Sequence, residues 1–138
     1  MTDERLFANT PASVPRARSF ARSVVGEVPR DVAEAIGVMV SELATNSLRH
    51  AGTDFRVRVD RDDGLIRVAV SDSGPGQPSL RSPQPREPTG RGLRIVQALA
   101  DDWGVAPLHD GRGEVVWFSL DLARRAEPAR DPARAADT

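Results

Sequence analysis

The 138-residue chain contains no cysteine and no lysine. The first absence excludes disulfides, thiolate metal sites and cysteine nucleophiles. The second excludes a Walker A loop and the strand lysine of a eukaryotic-type protein kinase. All 19 basic residues are arginine, so any phosphate chemistry must run without an ammonium group. Two histidines, His50 and His109, are too few for most metal sites. The net charge of −1 gives bulk electrostatics no pull toward nucleic acid, and no direct nucleic-acid contact is expected. No apolar run approaches the ~20 residues that cross a bilayer, so no membrane association is expected either. The N-terminus lacks a charged-then-apolar leader pattern, and a cytoplasmic location is the expectation.

The length suits one domain with a sizeable core. Residues 1–12 read as a polar N-terminal segment, with room for a short edge strand near Leu6 and Phe7. Residues 13–122 read as the domain itself, and residues 123–138, rich in Ala, Arg, Pro and Asp, as a disordered tail. Ser13 can cap a first helix that runs to about Val25 and stops at Gly26. Asp31 can cap a second from Val32 to about His50, whose apolar residues Val32, Ile36, Val40 and Leu43 follow the helical period. Phe55, Val57 and Val59 alternate with polar residues as in a half-buried strand, and Asp62-Asp63-Gly64 turns it into a second, Leu65–Ser71. Residues 75–89 are dense in proline and read as a long loop or lid. Arg91–Ala100 reads as a helix, followed by strands at Trp103–Leu108 and Val115–Leu122. Strands and helices are grouped rather than strictly alternating. That predicts an α+β fold, a two-layer α/β sandwich with a mixed sheet.

Three short segments can carry chemistry. Glu42 and Asn46, four residues apart on the second helix, share a face, and His50 continues it one turn later. An amide oxygen suits Mg²⁺, and a carboxylate one turn away can accept a proton from an attacking hydroxyl or water. Asp72 stands where a strand ends and a glycine turn begins, a place from which a carboxylate can accept a hydrogen bond from an exocyclic amine. Gly74 and Gly76 allow a flat base to come close. Gly90 and Gly92 at a helix start can present N–H groups to phosphates, with Arg91 adding charge. Taken singly, each could be a solvated helix face, a plain turn or an ordinary hinge.

Together, Glu42–His50 (ELATNSLRH), Asp72–Gly76 (DSGPG) and Gly90–Leu93 (GRGL) resemble the N, G1 and G2 boxes of the GHKL (histidine kinase-like) ATPase superfamily, over about Phe7 to Leu122. Within it, Pro11–Val14, Ser41–Gly52 (SELATNSLRHAG) and Gly90–Val105 make the chain most similar to anti-sigma factor serine/threonine kinases of the RsbW/SpoIIAB type. The resemblance implies the GHKL (Bergerat) ATP-binding fold, with ATP and Mg²⁺ between helices and lid. By position, it makes Asn46 the Mg²⁺ ligand and Glu42 the catalytic base. Asp72 would recognise adenine, Gly74 and Gly76 would shape the base pocket, and Gly90, Arg91 and Gly92 would line the phosphates. His50 and Leu93 join the cofactor-binding set through the same boxes. The implied partners are a sigma factor and an anti-anti-sigma STAS-domain protein phosphorylated on Ser or Thr. A homodimer through the region near the first helix is also implied. One position departs from the pattern: Val115 stands where family members often carry an adenine-holding threonine. The alternative is a degenerate GHKL module that sequesters a protein without transferring phosphate. A detached histidine-kinase catalytic domain ranks lower, since no helical hairpin with a phospho-accepting histidine precedes the domain.

Overall fold

The computed structural model describes residues 1–50, 52–72, 86–108 and 113–125, without the side chains of His50 and residues 86–92. Five strands and four helices occur among them. They are β1 (Thr2–Phe7), α1 (Ser13–Val25), α2 (Arg30–His50), β2 (Phe55–Asp62), β3 (Leu65–Asp72), α3 (Arg86–Leu99), β4 (Asp102–Pro107), β5 (Glu114–Asp121) and a single turn, α4 (Leu122–Arg125). The strands form one sheet in the order β1-β2-β3-β5-β4. This is the α+β architecture expected, with one correction. All four pairings are antiparallel, where a mixed sheet was expected. The crossover through α3 delivers β4 parallel to β3 but one place farther out, and β5 returns between them.

Strand alternation builds the core. Phe55, Val57 and Val59 on β2, Ile66, Val68 and Val70 on β3, and Val116, Phe118 and Leu120 on β5 are all buried. Against them lie Val32, Ile36, Met39, Val40, Leu43 and Ala44 of α2, with Ala17, Phe20 and Val25 of α1. Fully burying each large apolar side chain is worth about 1.5–3 kcal/mol, so this seam dominates stability. α2 packs against both α1 and α3 as well as β3, and is the centre of the helix layer.

The ends of the elements differ from expectation in ways with local causes. Ser13 is not the cap of α1. It is the first helical residue and is buried, and Ala12 holds the cap position with no side-chain hydrogen bond. A turn closed by Ser13 N donating to Thr10 O (3.0 Å) leads in. Asp31 lies inside the first turn of α2, where its charge suits the helix dipole. Gly26, at φ 79°, ends α1 as read, its N–H returning to Arg22 O. α3 begins at Arg86 rather than Arg91. The prolines had suggested loop, but Pro88 falls in the first turn, where a missing N–H costs nothing. The rest of the expected lid, residues 75–85, lies outside the described residues. β5 ends at Asp121, and Leu122–Arg125 turn into α4 where strand and tail were expected. Arg125 fixes that turn: its guanidinium donates to Leu99 O (2.6 Å) and pairs with Asp101 (3.3 Å). Residues 126–138 lie outside the described set.

The sheet's other face is polar. Arg56 and Arg58 pair with Glu4 and Asp60 at 3.2–3.8 Å, contacts that exposure keeps weak. Phe118 is core, and Trp117 points to this second face. There the Arg67 guanidinium lies 4.0 Å from the Trp117 ring centroid. Gly104, the cross-strand partner of Trp117, leaves room for the indole: a Cβ at Gly104 would come within 2.7 Å of it. Gly104→Ala should therefore lower the unfolding free energy by roughly 1–3 kcal/mol in urea titration, by displacing the ring from Arg67. An unchanged midpoint would show that the ring moves aside freely.

Candidate functional site

Strand periodicity places the first functional group. Ile66, Val68 and Val70 point from β3 into the core, and Asp72 is the next residue on that face. Its cross-strand partner is the fully buried Phe55. A carboxylate thus ends a row of core side chains on the helix-facing side of the sheet, and its Oδ1 is buried.

α2 brings two more. Asn46 is half-buried, and its Nδ2 is inaccessible and without a hydrogen-bond partner among the described residues. Leaving such an amide unpaired costs about 1–3 kcal/mol. Glu42, one turn earlier and also half-buried, lines a surface groove of about 500 Å³ with Arg18, Arg22, Gly37, Val38 and Ser41. Arg18 organises this turn of α2. Its Nη1 donates to Ser41 Oγ at 2.9 Å. Its stem crosses the helix at Gly37, where a Cβ would come within 3.2 Å of it. Arg18 is thus committed to holding α1 on α2, while Arg16 and Arg22 of the same helix stay exposed.

The helix and the strand end meet through a short connection. The chain leaves α2 at His50, turns at Gly52 (φ 68°) and enters β2 at Phe55, beside Asp72. Thr53 in this connection has a buried Oγ1 with no partner among the described residues. Its backbone is pinned: Thr53 O accepts from Asn9 Nδ2 (2.8 Å), and Asn9 N donates to Asp54 Oδ1 (3.1 Å). Sequence reasoning missed Thr53, since no periodicity marks a connecting residue. Its only sequence signal is its position, directly after the helix-ending Gly52.

Glu42 and Asn46 thus lie on the C-terminal half of α2, Glu42 facing the groove between α1 and α2, and the connection into β2 brings the end of α2 to the same end of the sheet as Asp72. The other expected residues stand differently. Gly90 and Gly92 lie inside α3, as its fifth and seventh residues counted from Arg86. In this conformation their N–H groups face the helix's own carbonyls, and the free N–H groups are those of the first turn. Leu93 packs half-buried against the core. Ser73–Gly76, and with them Gly74 and Gly76, lie outside the described residues, as do the side chains of Arg91 and His50. Val115 is half-buried and pairs with Ser71, one register step from Asp72. A larger groove, about 720 Å³ between β1 and α1, is lined by Arg5, Phe7, Ser13, Arg16 and Phe20 among others, and by none of the expected site residues.

The donor set fits a nucleotide with a hard cation. Among the described residues no group of three or more His, Cys, Asp or Glu could hold a metal. Mg²⁺ needs no such cage, because it keeps waters and takes phosphate oxygens alongside one or two protein ligands. Among the described residues nothing fixes the buried end of the Asn46 amide, which leaves the amide able to turn its oxygen to a cation. No described helix is long and apolar enough to cross a membrane.

A family model described as the histidine kinase-like ATPase domain matches residues 7–120. Among solved structures, the chain is similar to the histidine kinase domain of the Erythrobacter litoralis EL346 blue-light activated histidine kinase. Identity is 24% and the TM-score 0.51, over 83% of this chain and 62% of that one. A second structure of the Erythrobacter litoralis EL346 kinase matches at 26% identity and TM-score 0.57, over 83% of this chain and 42% of that one. The chain thus spans less than two thirds of either. No curated protein matches it.

Arg18→Ala should cost about 1 kcal/mol of stability, from the lost hydrogen bond and stem packing. Chemical denaturation of the variant checks this, and an unchanged free energy would remove Arg18 from the α1–α2 clamp.

Proposed function

The chain belongs to the histidine kinase-like ATPase domain family, and from that premise we propose that it binds Mg²⁺–ATP and phosphorylates a protein hydroxyl. The acceptor in this reading is a Ser or Thr of an anti-anti-sigma STAS-domain partner, and the same domain binds a sigma factor. The observation that supports the nucleotide part is the buried Asn46 Nδ2, without a partner among the described residues, on the helix whose connection enters β2 beside Asp72. The Ser/Thr and sigma-factor part is supported by the resemblance of Ser41–Gly52 and Gly90–Val105 to anti-sigma kinases.

Each residue has one task in this reading. Asp72, whose Oδ1 is buried and which is acceptor-only when ionised, takes a hydrogen bond from the base's exocyclic amine. The Asn46 amide oxygen ligates Mg²⁺. Glu42, half-exposed in its groove, accepts the proton of the attacking hydroxyl. Bound Mg²⁺–ATP supplies the phosphoryl group and neutralises its charge. Rate enhancement then comes mainly from positioning and electrostatics.

Val115 favours a second reading. The position is apolar where the resemblance would put an adenine-holding hydroxyl. A domain with a weakened base pocket could keep the fold and sequester a protein partner without transferring phosphate.

Transfer of labelled phosphate from ATP to a purified STAS-domain protein separates the two. Wild-type protein should label the partner. Glu42→Ala should retain ATP affinity and lose roughly 10²- to 10⁴-fold in rate. Asn46→Ala should abolish the tightening of ATP by Mg²⁺. Labelling by Glu42→Ala at the parent rate would remove Glu42 as the base, and absence of labelling by a wild-type protein that binds ATP would favour the sequestering module.

A further inference from the structure

We propose that Thr53 is a base-reading residue that, with Asp72, makes the site select adenine over guanine. The inference rests on the nucleotide reading above and adds a residue that none of the three sequence boxes contains.

The first argument is energetic. The Thr53 Oγ1 is buried with no hydrogen-bond partner among the described residues. A hydroxyl held out of water and unpaired destabilises the fold by about 1–3 kcal/mol. Threonine is also an odd choice for such a place if packing alone mattered, because valine has the same shape and no unpaired group. The second argument is rigidity. Hydrogen bonds from Asn9 to Thr53 O and Asp54 Oδ1 tie this connection to the end of β1. The hydroxyl is therefore presented from a fixed backbone.

Position supplies the third. Thr53 lies two residues before Phe55, the cross-strand partner of Asp72. Thr53 lies in the bend that leads into β2, so it comes to the same end of the sheet as Asp72. Two polar side chains at one end of the sheet can meet one edge of a planar base.

The chemistry then specifies the base. An ionised carboxylate only accepts hydrogen bonds, whereas a hydroxyl can also donate. Together they offer an acceptor beside a donor. Adenine presents the complement, an amino donor beside a ring-nitrogen acceptor, while guanine presents a carbonyl acceptor where adenine has its amine. Guanine would set its carbonyl against the Asp72 carboxylate. Thr53 also supplies a hydroxyl at a site where β5 offers only Val115.

Thr53→Val tests this with two readouts that a merely structural threonine would not move in opposite directions. Calorimetric titration should show ATP weakened by roughly tenfold, with the preference for ATP over GTP reduced. The thermal midpoint without nucleotide should hold or rise, because an unpaired buried hydroxyl is gone. Thr53→Ser should retain most of the affinity. Asp72→Asn, measured in parallel, should weaken ATP and narrow the ATP–GTP gap. If Asp72→Asn has its effect and Thr53→Val leaves ATP and GTP affinities unchanged, the Thr53 assignment is overturned and the nucleotide site stands. If Thr53→Val lowers the thermal midpoint and leaves base preference intact, Thr53 is structural and the assignment is likewise overturned. If wild-type protein binds no ATP, both readings fail together.

Discussion

The packing of α2 on the inner face of β3, with α1 beside it on β2, is the constraint on which the other features depend. Because side chains alternate along a strand, the residues that must be apolar on β3 are Ile66, Val68 and Val70. The same alternation sends Asp72 to the helix side, at the point where the core runs out. On α2 the same contact buries Ile36, Met39, Val40, Leu43 and Ala44. It carries Asn46 to the edge of the seam and leaves Glu42 half-open beside it. A one-residue slip in β3 would turn the carboxylate outward and destroy core and site together. Stability and site geometry are therefore set by one contact.

The candidate site contains polar groups that have no partner among the described residues. Asn46 Nδ2 and Thr53 Oγ1 are buried and unpaired among the described residues. Nearly all buried polar groups in folded proteins are paired, so two such atoms on the C-terminal half of α2 and in the connection that follows it are informative. A ligand with matching polar atoms recovers that cost on binding. Around them the frame is firm: Arg18 clamps α1 to α2, and Asn9 holds the α2–β2 connection. Arg125 likewise locks the end of α3 to Asp101. These contacts are ordinary in strength. Their effect is to fix the positions from which the polar groups project.

Much of this was legible in the sequence where periodicity or punctuation is strong. The period of α2, the alternation of β2 and β3, and the glycine stop at Gly26 appear in the structure with small shifts at the ends. Asp72 was legible because an acidic residue follows an apolar alternation. Legibility failed where two local rules compete. Pro88 suits both a loop and a first helical turn, so the start of α3 at Arg86 was missed. Leu122 is apolar enough to extend β5, yet Arg125 reaching Leu99 and Asp101 turns the chain instead. The antiparallel sheet was misread as mixed because order along the chain does not reveal that β5 inserts between β3 and β4. Thr53 carries no periodic signal, and only its burial marks it.

The central claim is that the end of α2 and the end of β3 form one nucleotide site. The most direct measurement is the binding of ATP to the wild-type chain by isothermal titration calorimetry, with Mg²⁺ and with chelator. The account predicts saturable one-to-one binding that Mg²⁺ tightens. No heat of binding at millimolar ATP under either condition would contradict it, leaving a histidine kinase-like fold whose buried polar groups serve some other ligand.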